Sequence, residues 1–275
     1  MNRIIPVCFL LMMMCGAAFA ADPSDLYRGR TIVTGIKDET RIPAVPVCFL
    51  DVLAKVSGDG RLLRDPHAKE LAAGATFHVT EYSFRDRYAL RQIHDEQGTR
   101  DRPYFMTVTF DPGRVEAALK SLGRKPWTTT RPNLAMFLVI NNSAKTYVLS
   151  GDGDFGRDQR ESLAAASWQV AMPVTLPSQA DLAKEGLTAD NLAKIDPARL
   201  NSVTKGMGAD IVLMGSLAWN KGTMGWVADW KLFDGQKVHD WGIKDVSFDD
   251  AFRNALWGAA LVLSGNAEPN SLTSP

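Results

Sequence analysis

The chain has 275 residues, 45% of them hydrophobic, and its 31 basic side chains are matched by 31 acidic ones. Cancelled charge excludes nucleic-acid binding driven by bulk electrostatics. The length supports two modest domains or one large one. The chain begins with the short positive start Met1-Asn2-Arg3, the apolar run Ile4 to Cys15 and the small-x-small site Ala18-Phe19-Ala20. That run is shorter than the ~20 apolar residues of a spanning helix. A signal peptide over residues 1–20, cleaved after Ala20, is therefore expected, and with it a periplasmic protein. Cys15 opens a lipoprotein alternative, which Met14 disfavours by standing where a small residue is wanted. Two of the three cysteines lie in this leader, so Cys48 is left alone and an intramolecular disulfide is excluded. In the apolar stretch PVCFLDVLAKV its expected role is that of a small buried hydrophobe. No later segment is long and apolar enough to cross a membrane.

Arg30 to Ile36 is rich in β-branched residues and predicts a strand. Val45, Phe49, Val52, Leu53 and Val56 recur at three- and four-residue steps, which predicts a helix over 42–56. Pro43 and Pro46 suit its first turn, and Gly58 ends it. A short helix is expected over 66–73. Strands are expected over 77–94 and 104–110, joined by the charged turn DEQGTRDR. Asp111-Pro112 opens a helix with Val115, Ala118 and Leu122 on one face. GRKPWTTTRP has the composition of a linker, so the expected organisation is an N-terminal α+β domain over 21–123, a linker over 124–132 and a C-terminal α/β domain over 133–264.

Within the second half, LAMFLVI (134–140) reads as a strand covered on both faces. A helix over 157–168, a short strand over 171–176, helical segments through Met207 and a buried strand over 210–217 follow. Between Gly225 and Phe233, Trp226, Ala228, Trp230 and Leu232 alternate with Asp229 and Lys231, the pattern of a half-buried strand. Asp234-Gly235 is a hairpin turn into a strand over 237–246. A helix over 248–263 closes the fold, and a disordered polar tail is expected over 265–275. The fold class is α+β, with an N-terminal β-α-β-β-α unit and a C-terminal mixed sheet flanked by helices.

Several landmarks occur together: Lys55-Val56-Ser57-Gly58-Asp59 after the amphipathic helix, Arg131-Pro132 before the LAMFLVI strand, the run Gly208 to Gly215, and Trp226-x-Ala228-x-Trp230-x-Leu232. In that order, from about Tyr27 to Leu263, the chain resembles the exported Gram-negative family called domain of unknown function 2066. The chain departs from the family pattern at Asn141-Asn142, where an acidic residue is expected, and over 171–181, which is less leucine-rich. The resemblance implies location and architecture and brings no catalytic residues. At the level of fold alone, the halves are similar to the N-terminal and middle domains of the flagellar T-ring protein FlgT and to the N-terminal domain of TolB.

LSGDGDFGRDQRESL (149–163) holds two site patterns. Gly151, Gly153 and Gly156 spell G-x-G-x-x-G before a helix, but Asp152 and Asp154 would repel a pyrophosphate. As a calcium loop starting at Asp152, it puts Arg157 where glycine is required and Leu163 where a bidentate glutamate belongs. The remaining reading is a polar turn with Asp154 or Asp158 capping the helix. His67, His78, His94 and His239 lack zinc spacing, and Gly215-Ser216 lacks the second glycine of a nucleophile elbow. No catalytic residue, metal or cofactor is expected. Five of the seven tryptophans fall in the last quarter, where core packing accounts for them, with Trp219 and Lys221 kept as a candidate interaction surface. The sequence thus reads as a non-enzymatic envelope accessory or protein-interaction module with an unidentified protein partner and no nucleic acid. The alternative is an envelope hydrolase or small-ligand-binding protein using a cleft between the domains near Gly123–Pro132.

Overall fold

A computed structural model describes residues 23–89 and 102–272. The expected signal peptide and residues 95–101 of the turn DEQGTRDR, with His94, lie outside the described residues. In chain order the elements are β1 (Arg28–Thr34), α1 (Asp38–Arg41), α2 (Val45–Ser57), α3 (Pro66–Ala73), β2 (Val79–Asp86), β3 (Pro103–Phe110) and α4 (Pro112–Ser121). They are followed by β4 (Leu134–Asn141), β5 (Thr146–Val148), α5 (Arg157–Val170), β6 (Val174–Thr175), α6 (Gln179–Lys184), α7 (Ala189–Leu192) and α8 (Asn201–Gly206). The chain closes with β7 (Ile211–Asn220), β8 (Gly225–Phe233), β9 (Val238–Val246) and α9 (Phe248–Leu263). This is the α+β class that the sequence predicts, with two sheets.

The first sheet is antiparallel in the order β1-β3-β2, and α2 lies across one of its faces. Val33, Met106, Val108 and Phe110 point to that helix and are buried. The second sheet runs β5-β4-β7-β8-β9, with β6 also paired to β4; β4 is parallel to β7 and β6, and the other pairings are antiparallel. Its two faces explain the unbroken apolar run of β4. Met136, Leu138 and Ile140 join a core with Leu163, Ala166 and Val170 of α5 and Phe252 and Leu256 of α9. Ala135 and Phe137 face the other way, onto Leu182, Leu187, Leu192 and Leu200 of the α6–α8 layer. Alternation along β8 is as predicted: Trp226, Ala228, Trp230 and Leu232 are buried, while Asp229 and Lys231 are exposed.

Periodicity predicts one buried face for α2, but its C-terminal half is buried all round, because that end sits between the first sheet and the α5/α9 layer. One cluster of buried residues runs from Phe49 and Leu53 of α2 through Leu163 of α5 to Leu256 and Trp257 of α9. The tail is corrected. Instead of being disordered after Gly265, it turns back as a 3-10 turn over Pro269–Leu272 against α9 and β9, with Pro269 buried. Polar composition predicts disorder only where nothing holds the segment, and here His239 and Lys237 hold Glu268.

Close packing in the second sheet gives one direct test. A Cβ on Gly215 would stand 2.3 Å from two ring carbons of Trp230, which is 1% exposed and has nowhere to move. Gly215→Ala is expected to cost about 1–3 kcal/mol, the range for overpacking a filled core, measured by urea denaturation. An unchanged midpoint would show that the Trp230 ring is free to shift.

Candidate functional site

The site begins where α2 ends. Gly58 takes a left-handed conformation (φ 72°), which returns its N–H to the Ala54 and Lys55 carbonyls and turns the chain sharply. Ser57 donates its hydroxyl to the Leu53 carbonyl at 2.8 Å and accepts the Asp59 N–H at 3.2 Å. The turn carries Asp59 into the protein, where its side chain is 0% exposed. Arg61 meets that carboxylate in a two-pronged pair, Nε to Oδ1 and Nη2 to Oδ2, both at 2.8 Å. Arg124, just past α4, adds Nε to Oδ2 at 3.0 Å. Burial alone would raise the Asp59 carboxyl, but the Arg61 hydrogen bonds and the charges of Arg61 and Arg124 outweigh it and hold it below the ordinary range.

One buried anion therefore fixes two guanidiniums, and both line a cleft of about 570 Å³. Its walls are the α2 turn (Ser57, Arg61), the segment 123–127 and the start of the tail (Ser264, Gly265, Asn266). Asn266 spends its amide N–H groups on the Ser57 carbonyl (2.8 Å) and Ser264 Oγ (2.7 Å), and Ser264 donates to the Leu261 carbonyl. Each guanidinium keeps unused N–H donors, since Arg61 uses two of its five and Arg124 one on Asp59. Lys125 has no ion-pair partner among the described residues. Three cations around one covered carboxylate favour an anion rich in acceptor oxygens.

Two further buried cations stand at the same end of α2, and one of them, Arg131, holds the cleft residue Trp127. The Arg131 guanidinium stacks on Trp127 at 4.1 Å and donates to the carbonyls of Lys55, Trp127 and Val170. Burial lowers Arg131 to about 10, so it remains charged at neutral pH. Lys55, fully buried, donates to the carbonyls of Asp25 (3.3 Å) and Arg28 (2.9 Å) and lies 3.8 Å from the Trp168 ring. Burial pulls its ammonium down to about 7, against the opposing pull of Asp51 and Asp25. The landmarks Lys55 to Asp59 and Arg131 thus meet at one junction.

The glycine-rich segment 149–156 lies elsewhere, between the edge strand β5 and α5. Arg160 fills it, donating to the Ser150, Gly153 and Phe155 carbonyls. Asp152 accepts the Gln179 N–H at 2.8 Å. The expected cap is corrected: Gly156 (φ 82°) occupies the N-cap of α5 without a side-chain cap, because the chain enters in a left-handed conformation that an aspartate adopts less readily. Asp158 stands in the first turn, where its charge complements the helix dipole. Trp219 is half-buried with its ring 5.4 Å from Trp226, and Lys221 is exposed in the β7–β8 turn; neither borders the cleft. Cys48 is buried, and burial pushes its thiol up to about 12. His239 lies between Asp234 and Glu268, 2.9 Å from each, an arrangement invisible in sequence because Glu268 comes from the tail. Asp59-x-Arg61 after a glycine turn was the one local sign of the cleft.

The molecule is thus an α+β protein with a cationic cleft between the end of α2, the segment after α4 and the start of the tail. Residues 20–128 match the model of a domain of unknown function, DUF8605. The matched stretch holds Asp59, Arg61, Arg124, Lys125 and Trp127, and it is what this part of the chain is similar to. No curated protein matches the chain.

Proposed function

We propose that the protein is an exported, non-enzymatic accessory module of the Gram-negative cell envelope that grips an anionic group of its protein partner in the Arg61/Arg124/Lys125 cleft. The observation that carries this reading is the buried Asp59, which holds two guanidiniums in place and leaves their remaining donors for a ligand. The leader pattern of residues 1–20 supports export, and the order of landmarks supports kinship with domain of unknown function 2066. The similarity of the halves to FlgT and TolB domains favours an envelope assembly. A small anionic ligand in the same cleft is the second reading, favoured by its concave shape. Hydrolysis has less support: Ser57 and Ser264 both donate their hydroxyls to backbone carbonyls, so neither is set up as a nucleophile.

Calorimetric titration with pyrophosphate, and photo-crosslinking in the periplasm from a probe at Lys125, test both readings. Binding is expected to weaken roughly tenfold in Arg124→Glu and in Lys125→Glu, and steeply with salt. Crosslinked adducts lost in Arg124→Glu support the partner reading, and pyrophosphate binding without adducts supports the small ligand. Neither adducts nor binding would sink both.

A further inference from the structure

The first sheet has a second face. Along β1, Arg30, Ile32 and Thr34 point away from α2 and are exposed, with Ile32 50% exposed. Along β2, Glu81, Ser83 and Arg85 do the same, and Arg87 continues the row, so three arginines stand against one glutamate. The register sets Ile32, Phe105 and Arg85 side by side across the three strands, and Arg30, Thr107 and Ser83 in the next row. The Arg85 and Arg87 guanidiniums lie 5.1 and 5.2 Å from the Phe105 ring. Arg30 has one long hydrogen bond, to Thr107 Oγ1 at 3.4 Å, and rests 4.1 Å from the Trp168 ring. Asp25 exerts an opposing pull on Arg30, but none of the three arginines forms an ion pair with a carboxylate among the described residues. Burial lowers the Arg30 guanidinium, and repulsion from Arg85 lowers it further, so like charges crowd on this face.

We propose that this open face docks peripherally on a membrane surface rich in anionic phospholipid, with Arg30, Arg85 and Arg87 reaching the phosphates and Ile32 entering the headgroup boundary. Charge complementarity selects an anionic occupant. A second copy would bring the same three arginines and be repelled. Single-stranded nucleic acid needs free aromatic faces for its bases, and here the rings that the arginines meet, Phe105 and Trp168, already carry guanidiniums. An acidic peptide would seek a groove or a bare strand edge, whereas these charges stand on a sheet surface, the shape that matches a lipid plane. Each basic side chain near an anionic membrane raises partitioning roughly fivefold. The inference uses residues that do not line the cleft and stands apart from the proposed function.

Cosedimentation of the full chain with phosphatidylcholine vesicles, with and without phosphatidylglycerol, tests it. The apolar residues 4–15 are common to every variant, so the readout is the gain that phosphatidylglycerol confers. That gain is expected to shrink with salt, to fall roughly twenty-five-fold in the Arg30→Gln/Arg85→Gln double variant, and to persist in Lys205→Gln, an exposed charge on α8. If the double variant has a lowered unfolding midpoint, Arg87→Gln alone reads the same face with an expected loss of roughly fivefold. Equal binding to both vesicles, or a gain that survives these substitutions, would overturn the proposal. Capture of a single-stranded oligonucleotide, lost in the same variants while vesicles are ignored, would overturn it in favour of nucleic acid.

Discussion

Asp59→Asn is expected to remove about 3 kcal/mol of stability and to weaken pyrophosphate binding at least tenfold. The carboxylate is fully buried and accepts three charge-assisted hydrogen bonds from Arg61 and Arg124 as well as the Arg61 backbone N–H. Asparagine keeps one acceptor but turns an amide N–H toward donors, so at least one arginine must leave. Hydrogen bonds to charged groups contribute about 1.5–3 kcal/mol each, and breaking a buried pair costs about 3–5 kcal/mol when the abandoned charge stays buried. Arg61 and Arg124 are 33% and 31% exposed and can turn to water, which places the loss at the lower end. The sign with pH follows from the lowered Asp59 value. Its contribution is complete above the unfolded pKa of about 3.9 and disappears as pH falls through the lower folded value. Denaturant titrations should therefore separate the two proteins widely at neutral pH and converge in acid. Binding weakens because the guanidiniums no longer stand side by side over one anion. A variant within 1 kcal/mol of the parent, with unchanged affinity, would remove Asp59 from the centre of the site.

Local chemistry was readable where one element decides its own fate. Proline-opened helices, the Gly58 stop and the alternation along β8 are fixed by nearest neighbours and by one buried face, so their signals lie within a dozen residues. β4 was readable for the converse reason, since burial on both faces leaves no polar position to interrupt the run. The cleft was not readable in the same way. Asp59 and Arg124 stand 65 residues apart, and the tail supplies the remaining wall, so no window of sequence contains the site. The sequence shows only that periodicity breaks after α4, in the segment whose residues 123–127 form one wall of the cleft. The burial of Lys55 carries no sign in the sequence, because period alone does not reveal that a helix end is enclosed on all sides. The cap of α5 went wrong for a related reason. Aspartates beside a helix start are strong capping signals, yet Gly156 can enter the helix from a conformation that leaves Asp154 outside and Asp152 engaged with α6.

The tail gives the second large effect, and it depends on pH in both directions. His239 is 8% exposed, with Nδ1 2.9 Å from Glu268 Oε2 and Nε2 2.9 Å from Asp234 Oδ2, so both carboxylates are satisfied together only by the imidazolium. Burial opposes that charge, but the hydrogen bonds the ring donates to both carboxylates outweigh it and raise the histidine above its ordinary value. Asp234 is held down to about 2, chiefly by the Lys237 backbone N–H and then by His239. Glu268 is lowered by Lys237 and then by His239. The other charge near the tail is Arg64, whose guanidinium donates to the Leu272 carbonyl. A raised histidine gives stability that is complete below about pH 6.5 and lost as pH rises through its folded value; the lowered carboxylates give stability complete above about pH 4.5 and lost in acid. Docking of residues 265–272 should therefore be tightest between those limits. Hydrogen exchange in the tail, corrected for intrinsic rates, is expected to speed up roughly tenfold from pH 6 to pH 8.5, the worth of one charge-assisted hydrogen bond. In His239→Phe the tail should exchange fast at both values. Because Ser264, Gly265 and Asn266 form one wall of the cleft, the parent should lose pyrophosphate affinity relative to the variant over the same alkaline range. Exchange that ignores pH across this range would mean that Pro269 and its apolar contacts hold the tail without the histidine.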